Sequence, residues 1–219
     1  MEKFYDRREA GKMLAKELRP YVSHENTIIL ALPRGGVPVA YEIAKTLSIP
    51  FDVFIVRKLG VPDHQELAMG AIATGGTIVF NDDIIRELTI SKSKIQEVIQ
   101  SEQQELKRRE LTYRGNRPFP TLENKTIILV DDGIATGATM RVAIKALHQH
   151  HPASIMIAVP VAAFSTCKEM EGLVNKVICL LRPHQFYAVG AWYENFSQTS
   201  DEEVFELLKK ANEGDNHRL

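Results

Sequence analysis

The 219-residue sequence predicts an α/β fold: a parallel sheet flanked by helices. Short apolar, β-rich runs alternate with helical patterns along most of the chain, which is the grammar of repeated βαβ units. The run 127–130 is four consecutive aliphatic residues, the mark of a strand covered on both faces. Loops rich in glycine or other small residues lead from two such runs straight into helical patterns.

Taken in order, Asp6 can cap a first helix whose Ala10, Leu14 and Leu18 share one face, and Pro20 ends the pattern. Residues 27–32 form an apolar run too short for a helix, followed by Pro33-Arg34-Gly35-Gly36 and a helical pattern over 37–47. Residues 51–56 read as the second strand, ending in Arg57-Lys58, and 57–68 read as loop. Gly75-Gly76 between 71–73 and 77–80 predicts a β-hairpin with a tight turn. Residues 82–110 are polar and helix-prone, and their charge density suits a solvated arm. A connector with two prolines and a glycine follows at 114–120. Strands are then expected at 126–130, 154–159 and 176–181, and helices at 139–150, 165–173 and 201–211, before a frayed tail. The whole chain reads as one domain, with 82–113 as an inserted helical arm.

Composition narrows the function. Hydrophobic residues at 44% and charged residues at 25% are ordinary globular usage and exclude a disordered or collagen-like chain. Lys and Arg number 27 against 28 Asp and Glu, so no basic excess exists to neutralise a nucleic-acid backbone. Cys167 and Cys179 form neither a disulfide framework nor a metal pattern and fit a reducing cytoplasm. The charged N-terminus carries no signal-peptide pattern, and no run reaches membrane-spanning length. His148, His150 and His151 read as surface residues complementing a helix C-terminus.

The chemistry concentrates at 126–140. Asp131 and Asp132 stand at the C-terminal end of the aliphatic strand, where open parallel sheets place ligands. Ala135-Thr136-Gly137-Ala138-Thr139 then opens a helix; the small residues admit a phosphate, the threonines offer hydroxyls and the helix dipole favours an anion. Carboxylates beside a phosphate loop repel a bare anion. They suit the hydroxyls of a sugar that carries the phosphate, or a ligand that brings Mg²⁺. The deduced ligand is a ribose 5-phosphate.

These residues resemble the signature of the type I phosphoribosyltransferases, which bind 5-phosphoribosyl-1-pyrophosphate (PRPP). The resemblance implies that Asp131 and Asp132 hold the ribose hydroxyls and that Ala135, Thr136, Gly137, Ala138 and Thr139 hold the 5′-phosphate. Gly133 departs from the pattern, which is aliphatic there. Residues 32–40 resemble the family's pyrophosphate loop, so Arg34, Gly35 and Gly36 are expected on the leaving group, with a strained or cis peptide at Arg34–Gly35. Lys58 resembles the basic residue that reaches pyrophosphate, with Arg57 beside it. Residues 59–70 match the flexible lid in place, and His64 and Glu66 are its candidates for acid–base work. Asp6-Arg7 and Gly190-Ala191-Trp192-Tyr193 extend the likeness to an uncharacterised bacterial branch of the family.

The resemblance implies Mg²⁺-dependent transfer of the phosphoribosyl group to a nitrogenous acceptor, releasing pyrophosphate, with Mg²⁺ brought mainly by PRPP. Arg34, Lys58, Asp131 and Asp132 are the expected catalytic set, and a homodimer is compatible with it. Ala135 stands where 6-oxopurine members carry an Asp, which argues against hypoxanthine or guanine as acceptor. A small hood above the sheet is expected from the N-terminal segment, the arm or the C-terminal region. Trp192, Tyr193 and Phe196 suit either base stacking or packing of that hood. The alternative to an enzyme is a PRPP-sensing module acting through a protein partner.

Overall fold

The computed structural model describes residues 3–23, 25–62 and 64–215. Its centre is a five-stranded parallel sheet in the order β2 (Phe51–Val53), β1 (Thr27–Ala31), β6 (Thr126–Val130), β7 (Ser154–Val161), β8 (Lys176–Leu181). Alternate side chains of the strands leave opposite faces, so each strand feeds two cores. Ile29, Ala31, Ile128, Val130, Met156 and Ala158 pack under α1 (Arg7–Leu18), α2 (Gly36–Leu47) and α7 (Asp201–Asp215). Ile28, Leu30, Ile127, Leu129, Ile155 and Ile157 pack under α5 (Ala138–His148) and α6 (Phe164–Glu171). Cys167, on α6, is buried in this second core.

Topology positions the site. From β1 the chain crosses through α2 to β2 on one side, and from β6 it crosses through α5 to β7 on the other. β1 and β6 are hydrogen-bonded neighbours, register Ala31 to Val130. Their C-terminal ends therefore form a switch point, the place where open parallel sheets bind ligands in a crevice.

The region after β2 departs from expectation. The apolar run 51–56 is not one strand: β2 ends at Val53, and Val56 begins β3 (Val56–Val61) of a separate antiparallel sheet with β4 (His64–Ala73) and β5 (Thr77–Phe80). Arg57 and Lys58 thus lie within a strand, paired with Ile72 and Ala71, and not at the end of a parallel one. Most of the expected lid, 59–70, is ladder rather than loop. Gly60, Pro62 and Gly70 suggest a loop, whereas the register shifts around Gly60 absorb the irregularity within the ladder. The β4–β5 turn is as read, with Gly75 and Gly76 at φ +84° and +78°.

The arm is two helices, α3 (Asp82–Glu87) and α4 (Lys92–Arg114). α4 is not merely solvated, because Ile99, Leu106 and Tyr113 enter the first core. Its last residue, Arg114, donates from Nε to both carboxylate oxygens of Asp52 at 3.1 Å and from Nη2 to the Val53 carbonyl at 3.1 Å, all buried. Burial pushes the Asp52 carboxyl up against the pull of that guanidinium. α7 runs on to Asp215, past the expected 211, and residues 216–219 lie outside the described part of the chain. His150 is not a free surface residue: its Nε2 lies 3.2 Å from Thr77 Oγ1 and its ring meets Phe119 edge-on. Among the described residues no helix is long and apolar enough to cross a membrane.

Candidate active site

Two loops meet at the crevice. Leu32 donates its amide to Val130 O at 2.8 Å, which ties the end of β1 to the end of β6. The chain then turns through a cis peptide at Pro33–Arg34, one bond earlier than the Arg34–Gly35 position the resemblance implied. Gly36 lies against the backbone at the end of β6: a Cβ there would stand 2.7 Å from Val130 O and 2.9 Å from Asp131 Cα. Gly35 lies against the acidic pair itself, and a Cβ there would stand 2.0 Å from Asp132 Oδ2. One glycine of the first motif therefore lies against the Asp132 carboxylate and the other against the backbone of Val130 and Asp131.

The carboxylates are held from several sides. Asp131 Oδ1 accepts the Asp132 amide at 2.8 Å. Arg7, at the start of α1, donates from Nε to Asp132 Oδ2 at 2.8 Å, and the Tyr193 hydroxyl donates to the Asp132 carbonyl at 2.6 Å. Burial and the neighbouring charge of Asp132 push the Asp131 carboxyl well above the usual carboxylate range. Burial also raises Asp132, against the lowering pull of Arg7. Burial, then the nearby Asp132, pushes the Tyr193 phenol up.

On the far side of the pair, Gly137 caps α5 at φ +76°, a conformation suited to glycine, and offers the helix no capping side chain. Ala138, the first residue of the helix, donates its amide to Thr136 Oγ1 at a long 3.5 Å, and the N-terminal turn as a whole favours an anion. Ala135, Thr136, Ala138 and Thr139 are exposed around this turn. Thr166 of α6 fixes the loop from below by donating to Ala135 O at 2.8 Å.

The other expected residues divide. Arg34 reaches away from the crevice floor, its Nη1 3.7 Å from Asp201 Oδ1, the same oxygen that accepts the Tyr113 hydroxyl at 2.7 Å. Arg57 pairs with Glu102 of α4 at 2.6 Å. Lys58 is exposed on β3 in the second sheet, on an element separate from the one that carries the acidic pair. His64 is exposed at the start of β4, and the side chain of Glu66 lies outside the described residues. Trp192, Tyr193 and Phe196 pack with the N-terminal segment: the rings of Phe4 and Tyr193 are 5.5 Å apart and those of Tyr193 and Phe196 5.1 Å. The arm takes no part in that cluster.

Sequence reasoning gave no individual role to Arg7, Thr166 or Asp201. A cation in the first turn of a helix opposes the helix dipole, but Arg8 stands in the same turn, so the pattern does not single out Arg7 or its partner. Arg7 occupies one oxygen of Asp132, and among the described residues no cluster of three or more His, Cys, Asp or Glu could hold an ion.

The structure thus brings a glycine loop, paired carboxylates and the N-terminus of a helix together at the switch point of a parallel sheet. The family model of the phosphoribosyl transferase domain matches residues 3–193. The chain belongs to the phosphoribosyltransferase family, with the type I arrangement of its parallel sheet. Two Mycobacterium tuberculosis proteins, from strains CDC 1551 and H37Rv, are named for the same family and are 42% identical over 211 residues, 96% of this chain and 47% of theirs. The chain thus spans about half the length of the curated relatives it matches. The crystal structure of TT1426 from Thermus thermophilus superimposes with a TM-score of 0.83 at 37% identity, over 95% of this chain and 98% of that one. A Neisseria gonorrhoeae protein solved with ppGpp shares the fold at 16% identity and a TM-score of 0.50, over 96% of this chain and 98% of that one.

Proposed function

We propose that the protein transfers the phosphoribosyl group of PRPP to a nitrogenous acceptor and releases pyrophosphate. The observation that carries this reading is the contact of Gly35 and Gly36 with Asp131 and Asp132 at the ends of adjacent strands. It supports assigning the loop to the leaving group and the carboxylates to the ribose hydroxyls of one small molecule. Asp131 and the second oxygen of Asp132 hydrogen-bond the ribose hydroxyls, and the 5′-phosphate sits on the first turn of α5. The pyrophosphate lies along 33–36 and draws Arg34 from Asp201.

Breaking the bond from C1 to the pyrophosphate oxygen leaves positive charge on the ribose and negative charge on the leaving group. Interactions that strengthen with that charge are the ones that accelerate the step. Arg34 and Lys58 are assigned to the leaving group. Asp131, Asp132 and the α5 turn act by fixing the sugar in place. Mg²⁺ would arrive with PRPP and would neutralise charge on the leaving pyrophosphate. The acceptor is a nitrogenous compound outside the 6-oxopurines, since Ala135 offers no carboxylate to such a ring.

Release of pyrophosphate from PRPP and Mg²⁺ against a broad panel of bases and amines, with the product identified by mass, tests the proposal. Tight PRPP binding with no turnover on any acceptor would make the chain a sensing module instead.

A further inference from the structure

We infer that Arg7 is a positioning residue of the ribose site: it orients the Asp132 carboxylate and keeps it ionised for the sugar hydroxyls. This rests on the ribose-phosphate reading above. The guanidinium engages three partners at once. Nε donates to Asp132 Oδ2 at 2.8 Å, Nη1 donates to the Ser197 carbonyl at 2.7 Å, and the group lies 3.9 Å over the Phe196 ring. The side chain is only 11% exposed, so little of that geometry is left to solvent. Its backbone is fixed as well. Asp6 caps α1 through the Glu9 amide, and the strand-like pairing of 4–5 with 192–195 is made by three amide bonds of 2.8 to 2.9 Å.

Two features argue that this arrangement serves the site and not the helix. A cation as the first residue of α1 runs against the helix dipole. The bond also reaches across 125 residues of chain to one of the two carboxylates on which the functional reading depends. Two adjacent carboxylates in a crevice repel each other and tend to keep a proton. A protonated Asp132 would be a poorer acceptor for a ribose hydroxyl. The groups that face Asp132 are Asp131 on its own segment, Arg7 from α1 and the Tyr193 hydroxyl from the C-terminal segment, while the glycine loop offers it only the backbone of Gly35. Arg34, the charged residue of that loop, engages Asp201. Arg7 is thus the cation that offsets the pair. The cluster of Phe4, Tyr193 and Phe196 therefore does more than cover the sheet, because it aims this charge.

The test uses the full-length protein with Arg7→Gln and Arg7→Lys, two readouts and a check of fold by circular dichroism. Calorimetry with PRPP and Mg²⁺ across pH gives affinity, and ¹³C NMR of labelled aspartate follows Asp132 in the free protein. Arg7→Gln is expected to weaken PRPP binding by about ten- to a hundredfold, as for a lost charge-assisted bond. Its acid limb and the Asp132 titration should both move to higher pH than in wild type. Arg7→Lys should keep the acid limb near wild type and recover only part of the affinity, because an ammonium cannot fork and stack as a guanidinium does. Titration of PRPP itself is common to all three proteins and cancels. Wild type that binds PRPP, with an unmoved Asp132 titration in Arg7→Gln or equal, pH-independent losses in both variants, overturns the assignment of Arg7 alone. Wild type that does not bind PRPP overturns the functional reading and this assignment with it. If Arg7→Gln does not fold, Arg7→Lys decides: wild-type affinity there refutes the positioning role.

Discussion

Replacing Gly35 with Ala isolates the contact between the two loops. The residue has φ −60° and ψ −33°, an ordinary helical conformation that alanine adopts freely, so backbone strain does not enter. The new Cβ would stand 2.0 Å from Asp132 Oδ2 and 2.5 Å from its Cγ. A tolerable separation of even 3.0 Å requires the carboxylate to retreat by about 1 Å. Arg7 is held by Ser197 and Phe196 and cannot simply follow, so its 2.8 Å bond opens. The displaced carboxylate also loses its aim at the ribose. One charge-assisted hydrogen bond is worth about 1.5–3 kcal/mol, so the PRPP dissociation constant should rise roughly 10- to 150-fold. Calorimetry on a double-mutant cycle with Asp132→Ala tests the cause. Once the carboxylate is gone the methyl has room, and Gly35→Ala should then cost under about 0.5 kcal/mol, leaving a coupling energy close to the whole single-mutant effect. Additive losses would show that Gly35 meets the ligand directly and that the contact with Asp132 is incidental.

Asp131→Asn should raise thermal stability at neutral pH while weakening PRPP binding. Because the Asp131 carboxyl is raised in the folded chain, the native state holds a proton that the unfolded chain has released above about 3.8; stability then falls as pH rises through that window, and calorimetric melting of the two proteins across pH should converge at acid pH. Asp52→Ala leaves the buried Arg114 guanidinium with only the Val53 carbonyl, a 3.8 Å approach to Glu110 and the Phe119 ring and should cost up to about 3 kcal/mol in urea unfolding, with the paired Asp52→Leu, Arg114→Met variant recovering most of it. In steady-state kinetics with the true acceptor, Lys58→Ala should lower kcat more than it raises the Michaelis constant for PRPP, whereas Thr136→Val should mainly raise that constant; the reverse pattern refutes the roles given to the two loops.

What was legible in the sequence is what a contiguous stretch encodes. The aliphatic run 127–130, its two aspartates and the small-residue turn carry their chemistry in adjacent residues, and parallel pairing of β1 with β6 brings the second loop beside them. The second sheet was less legible because Gly60, Pro62 and Gly70 punctuate residues that long-range ladder bonds hold in strands. The contacts that hold the acidic pair were not legible at all, because their partners are distant in sequence. Arg7 and Tyr193 stand 125 and 61 positions from Asp132. Neither pairing has a local pattern. The helix dipole opposes Arg7 and Arg8 alike and singles out neither.

Gly133 shows how a departure from a family pattern can be read once the fold is known. The sequence suggested a looser turn where an aliphatic residue is usual. In the structure a Cβ at Gly133 would stand 2.5 Å from Val189 Cγ1 and 3.1 Å from Val161 Cγ1. The space beside the glycine is filled by a valine from the C-terminal segment that also carries Tyr193. Glycine here is therefore a consequence of close packing, not of conformational need, since its φ is not positive. The same segment brings the Tyr193 hydroxyl to Asp132 O. A side chain at position 133 would push Val189 outward and draw that hydroxyl from the Asp132 main-chain carbonyl. The small residue in the signature and the aromatic segment far downstream thus act as one unit: the missing methyl groups of Gly133 let the C-terminal segment seat low enough to grip the site.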